Sequence, residues 1–259
     1  LNISNISINE NNRYVELYTL CDLLMQASFV NRIKYIARFF VDRTPYGSAD
    51  DDLLEELNCM TYVETVLGAA LASIGDFNYF TKDVVNKIDL FRYKGAKSFA
   101  NRNHFMSADW LEHNAKFLKD ITFELSRSLD VRKAVISRKD WLQNFPNEHL
   151  LHGAAQQEVT VPYYAFAKIL AKQNSIELWP KVAIFSVVRS KNWSVQEQIN
   201  TELPISHIGF IFKEHNSLRV LHSTKINNYG VCELDLFEYI KSYAGSSAMG
   251  LNIQQVLES

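Results

Sequence analysis

The sequence predicts an α+β fold, and three observations carry the prediction. Apolar residues recur at helical spacing through the first third of the chain. From Lys181 onward, short β-branched and aromatic runs alternate with turn residues, the pattern of an antiparallel meander. A last amphipathic run then reads as a closing helix. Helices first and strands afterwards describe helices packed on one face of a sheet.

Taken in order, residues 1–10 are Asn-rich and show no periodicity. Residues 13–41 read as two helices meeting near Ala27 and Ser28. "SADDDLLEE" is a solvated acidic turn that favours a helix start and lacks the glycine of a calcium loop. Asn58 is an N-cap candidate, and Tyr62, Val63, Val66, Leu67 and Ala70 then mark one buried helical face. Residues 82–93 are helical or mixed. "KGAKSFANRNHFMSADW" is a loop entering a helix at Asp109 and Trp110, and 119–160 fit short strands and a helix equally. "KVAIFSVVR", "ISHIGFIF", "LRVLHST" and "GVCELDL" are strands, and "LFEYIKSYA" closes the chain's order as a helix. No repeat or low-complexity linker divides the 259 residues, so a single domain is expected, with a helical part over 1–42 and a core over 43–259.

Composition excludes several classes. The net charge of −2, without a basic stripe, argues against a nucleic-acid binder. No apolar run approaches the roughly 20 residues of a membrane helix. "HLLHG" has a gap that suits a metal but no third ligand at a recognised spacing, and no metal or other cofactor is expected. The chain opens on Leu1 rather than Met, as it would after removal of a leading segment.

The three cysteines, Cys21, Cys59 and Cys232, are too few and too widely spaced for a disulfide framework. Cys21 falls on an apolar helical face and Cys232 in a predicted strand, and both read as core thiols. Cys59 begins a helix, where the positive end of the helix dipole lowers a thiol's pKa toward a reactive thiolate. A small core residue would suit the same place, so the position alone does not decide. A nucleophilic thiol needs a base, usually His, and a third group that orients it. Of seven histidines, His207 and His222 sit on neighbouring predicted strands, and a turn near His215–Ser217 would set them side by side. Trp141, Trp179 and Trp193 suit sugar stacking and core packing equally.

The ordered set of short motifs resembles the NlpC-type, papain-like cysteine hydrolases of bacterial cell walls, and within them the N-acetylmuramoyl-L-alanine amidase-like branch. That branch is marked by "P-Y", "D-C-T-T-F-V-E", "R-Y", "R-x-H-Y", "D-W", "S-H-V-G" and "L-H-A-S". The chain has Pro45-Tyr46, Asn58-Cys59-Met60-Thr61-Tyr62-Val63-Glu64, Arg92-Tyr93, Arg102-Asn103-His104-Phe105, Asp109-Trp110, Ser206-His207-Ile208-Gly209 and Leu221-His222-Ser223-Thr224.

The resemblance implies a papain-like core, with a helix-borne Cys packed on a central antiparallel sheet and additional N-terminal helices. It implies Cys59 as nucleophile, His207 as base and His222 as its orienting partner. Tyr46 would assist the oxyanion or the substrate. Asn58, Arg102, His104 and Trp110 would complete the substrate-binding set, Arg102 through a stem-peptide carboxylate. It further implies a peptidoglycan or muropeptide substrate and a periplasmic or secreted place in a bacterial cell envelope. Asn58 and Met60 depart from the Asp and Thr of the branch motif. A stem-peptide endopeptidase and a catalytically altered muropeptide-binding module are the alternatives.

Overall fold

The computed structural model describes residues 8–47, 54–128, 130–145, 156–172, 175–226 and 230–258, with side chains from residue 13. Four helices come first: α1 (Ile8–Leu23), α2 (Phe29–Phe39), α3 (Cys59–Leu71) and α4 (Phe77–Arg92). Their limits follow from local chemistry. Ser28 and Asp76 accept backbone N–H groups at the starts of α2 and α4. α3 differs from its neighbours in being apolar nearly all round, and Thr61 through Ala70 are buried without a break. It is therefore a central helix, with α2 and α4 on one side and strands on the other.

A π-helical turn over Met106–Trp110 leads into α5 (Leu111–His113), β1 (Leu118–Asp120) and α6 (Thr122–Ser126). There follow β2 (Asp130–Ser137), α7 (Arg138–Leu142), β3 (Gln156–Ala165), α8 (Phe166–Ala171), β4 (Val182–Arg189) and α9 (Val195–Gln198). The chain continues with β5 (Ile205–Glu214), β6 (Ser217–Thr224), β7 (Gly230–Asp235), α10 (Leu236–Lys241) and β8 (Ala248–Val256). The eight strands form an antiparallel sheet ordered β2-β3-β8-β4-β5-β6-β7, with β1 added along β8. β4 lies near its middle and is buried from Val182 to Val188, which explains its continuous apolar run.

Helices cover both faces of the sheet, a correction to the one-faced packing expected from the sequence. One core holds α1 to α4 against Ile184, Ile208, Phe210, Phe212 and Leu221. The other sets Leu125, Ile169, Leu236, Tyr239 and Ile240, from α6, α8 and α10, against Phe185, Val187, Ile211 and Val220. α10 is the helix expected at "LFEYIKSYA", whereas α6 and α8 escaped notice because they bury only three and one side chains, too few for a visible period.

Among the described residues no helix is long and apolar enough to cross a membrane, and no three potential metal ligands converge. "HLLHG" and residues 48–53 of the acidic turn lie outside the described residues.

Candidate active site

Cys59 opens α3, and its position is set on both sides. Asn58 caps the helix: its side-chain oxygen accepts from Met60 N–H at 2.9 Å and Thr61 N–H at 3.0 Å. Thr61 Oγ1 in turn accepts Asn58 N–H at 2.9 Å, which completes a capping box. Just upstream, Ser223 Oγ on β6 donates to the carbonyl of Leu57, tying the start of α3 to the sheet. Leu57 N–H donates to Pro45 O at 3.1 Å, and Val231 N–H donates to Thr44 O at 2.9 Å, so the Pro45–Tyr46 segment is held alongside. Gly230 permits this contact: its φ is +73°, and a Cβ there would meet Thr44 O at 2.0 Å.

The hairpin of β5 and β6 supplies the histidines. Its ladder runs from Glu214↔Ser217 to Phe210↔Leu221, with His215 in left-handed conformation in the turn. His207 and His222 project from the same face, and His207 Nε2 lies 2.7 Å from His222 Nδ1 with the rings perpendicular. Gly209 makes room for the pair, since a Cβ there would fall 2.8 Å from His222 Cβ and 2.6 Å from Leu221 O. Beyond Phe210↔Leu221 the ladder stops, and there the backbone of Ile208 acts on the Cys59 thiol and favours its charged form. The thiol thus meets the strand at the residue directly after His207.

Cys59 and His207 are both only partly buried, yet their surroundings oppose charge. Burial pushes the Cys59 thiol pKa up. The N–H groups of Ile208, Met60 and Cys59 itself pull it back without cancelling that effect, and Glu64 adds to the rise. The expected thiolate-favouring shift at the helix start is therefore corrected: desolvation outweighs it. Burial, His222 and Arg189 together drive the His207 pKa well below its ordinary range. Burial brings His222, 6% exposed, from 6.5 to about 4. Both shifts favour the neutral forms, a protonated thiol and an uncharged imidazole. Tyr46, partly buried, has a pKa raised by burial and by the field of Cys59.

The structure separates the remaining expected residues from this group. Trp110 is fully buried, and its indole N–H donates to Glu64 Oε1 at 3.1 Å. It is a core residue at the end of the π-helical turn rather than a side chain exposed to a cleft. Glu64, five residues after Cys59 on α3, also accepts from Arg92 Nε at 2.7 Å, and both members of that pair are buried. Burial raises the Glu64 pKa against the opposing charges of Arg92 and Arg102. Arg102 therefore stands by Glu64, with its backbone bridged to Tyr93. His104 Nε2 meets Phe99 O at 2.8 Å, and its ring packs on Phe99 and Trp141. Asp109 grips Arg138 through both oxygens at 2.8 and 3.0 Å, and Lys94 at 2.6 Å. Burial alone would raise its pKa, but these cations hold it below the usual range.

Three residues near the histidines were not marked by the sequence. Cys232, read there as a core thiol, is partly exposed on β7 with its sulfur 3.4 Å from His222 Nε2. Burial keeps it protonated, with a pKa of about 11. Tyr239 packs its ring on His222 and shares a 2.9 Å hydroxyl contact with Tyr243. Only the strand and helix pairing brings these residues to the site. The other two tryptophans part ways: Trp179 is buried, while Trp193 lies partly exposed beside Arg189.

The family model described as N-acetylmuramoyl-L-alanine amidase-like, AmiA-like, matches residues 27–246. The chain belongs to this family. Two solved structures resemble this AmiA-like chain along nearly their whole length. Protein LPG0564 from Legionella pneumophila is 26% identical with a TM-score of 0.80, over 98% of this chain and 97% of that one. An N-acetylmuramoyl-L-alanine amidase from Bacteroides uniformis is 17% identical with a TM-score of 0.63, over 87% of this chain and 99% of that one. The second likeness is one of fold. No curated protein matches the AmiA-like chain significantly.

Proposed function

We propose that this protein is a cysteine amidase of papain-like, NlpC-type plan that cleaves the bond between N-acetylmuramic acid and L-alanine in peptidoglycan or muropeptides. One observation carries the reading. His207 Nε2 lies 2.7 Å from His222 Nδ1, and the backbone of Ile208, the residue next to His207, acts on the Cys59 thiol at the start of α3. A thiol, a base and an orienting group thus follow one another across three elements.

The protonation states can be assigned around that chain. With the hydrogen of His222 on Nε2, facing the Cys232 sulfur, Nδ1 is left as an acceptor for His207 Nε2–H. His207 Nδ1 then carries the free lone pair. It takes the Cys59 proton as the sulfur attacks the lactyl carbonyl carbon, forming a C–S bond and a tetrahedral oxyanion. The N–H of Cys59, which the Asn58 cap leaves untaken, and the Tyr46 hydroxyl are the donors assigned to that charge. Collapse breaks the C–N bond, and His207 returns the proton to the departing amine of L-alanine. Water, deprotonated by His207, then releases the acid from the thioester. Because thiol and imidazole start neutral, proton transfer accompanies attack rather than preceding it.

The binding-module alternative leaned on Asn58 in place of Asp and Met60 in place of Thr, and the first is the one the cap geometry bears on. For Asn58, the side-chain oxygen caps α3 as a carboxylate would, so this departure leaves the site assembled. A substrate of this kind also puts the protein to work at a bacterial cell envelope.

Mass spectrometry of digested muropeptides tests the reading. The wild type should release stems with a free N-terminal L-alanine, and Cys59→Ala and His207→Ala should each lose at least about 1,000-fold in rate. Products cut within the stem would replace the amidase with an endopeptidase. Undiminished turnover by Cys59→Ala would remove Cys59 from the chemistry.

A further inference from the structure

The sheet face that carries His207 also holds a cation with no part in the steps above. Arg189 ends β4, where a register shift interrupts the ladder to β8. Its Nε donates to Ser206 Oγ at 2.8 Å and its Nη1 to Ser247 Oγ at 3.3 Å. The guanidinium lies 5.2 Å from the ring centres of both Trp193 and Tyr243. Two hydroxyls and two aromatic rings therefore fix its plane and direction.

Among the described residues, its charge is unanswered. Arg38, Arg132 and Arg138, also partly or fully buried, each pair with a carboxylate. Among the described residues Arg189 has no carboxylate partner, and its Nη2 meets no protein acceptor. Burial lowers its pKa, against the raising influence of Tyr243 and Tyr239. Its field reaches His207, whose adjacent residue Ser206 it holds. Arg189, Trp193, Ser206, His207, Tyr243 and Ser247 are all partly exposed, so ligand can reach them together.

We propose that Arg189 is a carboxylate subsite that holds the peptide departing from the scissile bond. The proposal rests on the amidase reading for the identity of that peptide. A departing amine must lie against His207 to receive its proton, and Arg189 is on the His207 side of the reacting sulfur. The departing half of a muropeptide carries its carboxylates, whereas the sugar half is retained on Cys59. A guanidinium packed on two rings and still offering an N–H edge matches a planar carboxylate. This makes Arg189, rather than Arg102, the cation that selects the stem.

The test uses calorimetry on the full-length Cys59→Ala protein with two probes. These are N-acetylmuramoyl-L-alanyl-D-glutamate and the same compound with both carboxyls converted to carboxamides. The diacid should bind about ten- to a hundredfold more tightly, as expected of a charge-assisted contact. Adding Arg189→Gln should reduce that preference to about twofold or less, and Arg189→Lys should keep part of it. Equal affinity for the two probes, a preference that survives Arg189→Gln, or no binding of either probe would overturn the proposal. Circular dichroism checks folding, and if Arg189→Gln does not fold, an undiminished preference in Arg189→Lys overturns it. Digestion of the same probes by wild type separates the two claims. Carboxylate-dependent binding without cleavage of the muramoyl amide would remove the amidase and leave the subsite standing.

Discussion

His222 should make the fold sensitive to acid by an amount the structure fixes. The side chain is 6% exposed, and burial brings its pKa from 6.5 to about 4. In the unfolded chain it takes a proton near the ordinary value, while in the folded protein it does not. The unfolded state therefore binds more protons between those limits, and stability falls as pH drops from 6.5 toward 4. Above 6.5 the contribution is constant. At about 1.4 kcal/mol per pH unit, the loss across the window is about 3 kcal/mol. His222→Gln removes the titration but keeps an amide able to accept from His207 and donate to Cys232. Urea unfolding of both proteins between about pH 7 and pH 4 measures the difference directly. The wild type should lose about 3 kcal/mol more than the variant over that range. Parallel losses in the two proteins would refute a buried, neutral His222.

Two further outcomes follow from the same physics. With the Cys59 thiol raised and His207 depressed, alkylation by iodoacetamide should climb about tenfold per pH unit through neutrality. A rate that stays flat across mildly acidic pH would reveal a thiolate–imidazolium pair and contradict the neutral resting state. Glu64→Gln keeps an oxygen for Trp110 but removes the anion facing buried Arg92, so it should cost about 3–5 kcal/mol in urea unfolding. A loss below about 1 kcal/mol would mean that Arg92 draws its compensation elsewhere.

What could be read from the sequence was whatever one element encodes by itself. The Asn58 cap, the apolar stripe of α3 and the β5–β6 turn are local, and they locate Cys59, His207 and His222 along the chain. What escaped depends on long-range pairing. β8 enters between β3 and β4 from the far end of the chain, and its mixed "AMGLNIQQV" pattern does not announce a central strand. Arg189 gains Ser247 beside β8 in this way, and Cys232 gains His222 only through the pairing of β6 with β7. Trp110 looked like a cleft residue because its motif fixes its identity, whereas the π-helical turn fixes its direction. The direction of the Cys59 pKa was misread because a helix terminus is visible in a sequence and the desolvation around it is not.

α3 has a mechanical consequence for how the protein handles a ligand. Its 13 residues form a rod about 20 Å long. That rod is enclosed by α2, α4, β5 and β6, and the sulfur sits at its tip. Such a rod does not bend or slide without dismantling the core, so backbone amides within it exchange with solvent only when most of the molecule opens. The sulfur cannot travel to meet different ligands. Accommodation falls to the residues around it, Tyr46 on its tethered segment and the side chains bordering His207. Diversity in what the cleft accepts would be written there, while α3 stays still.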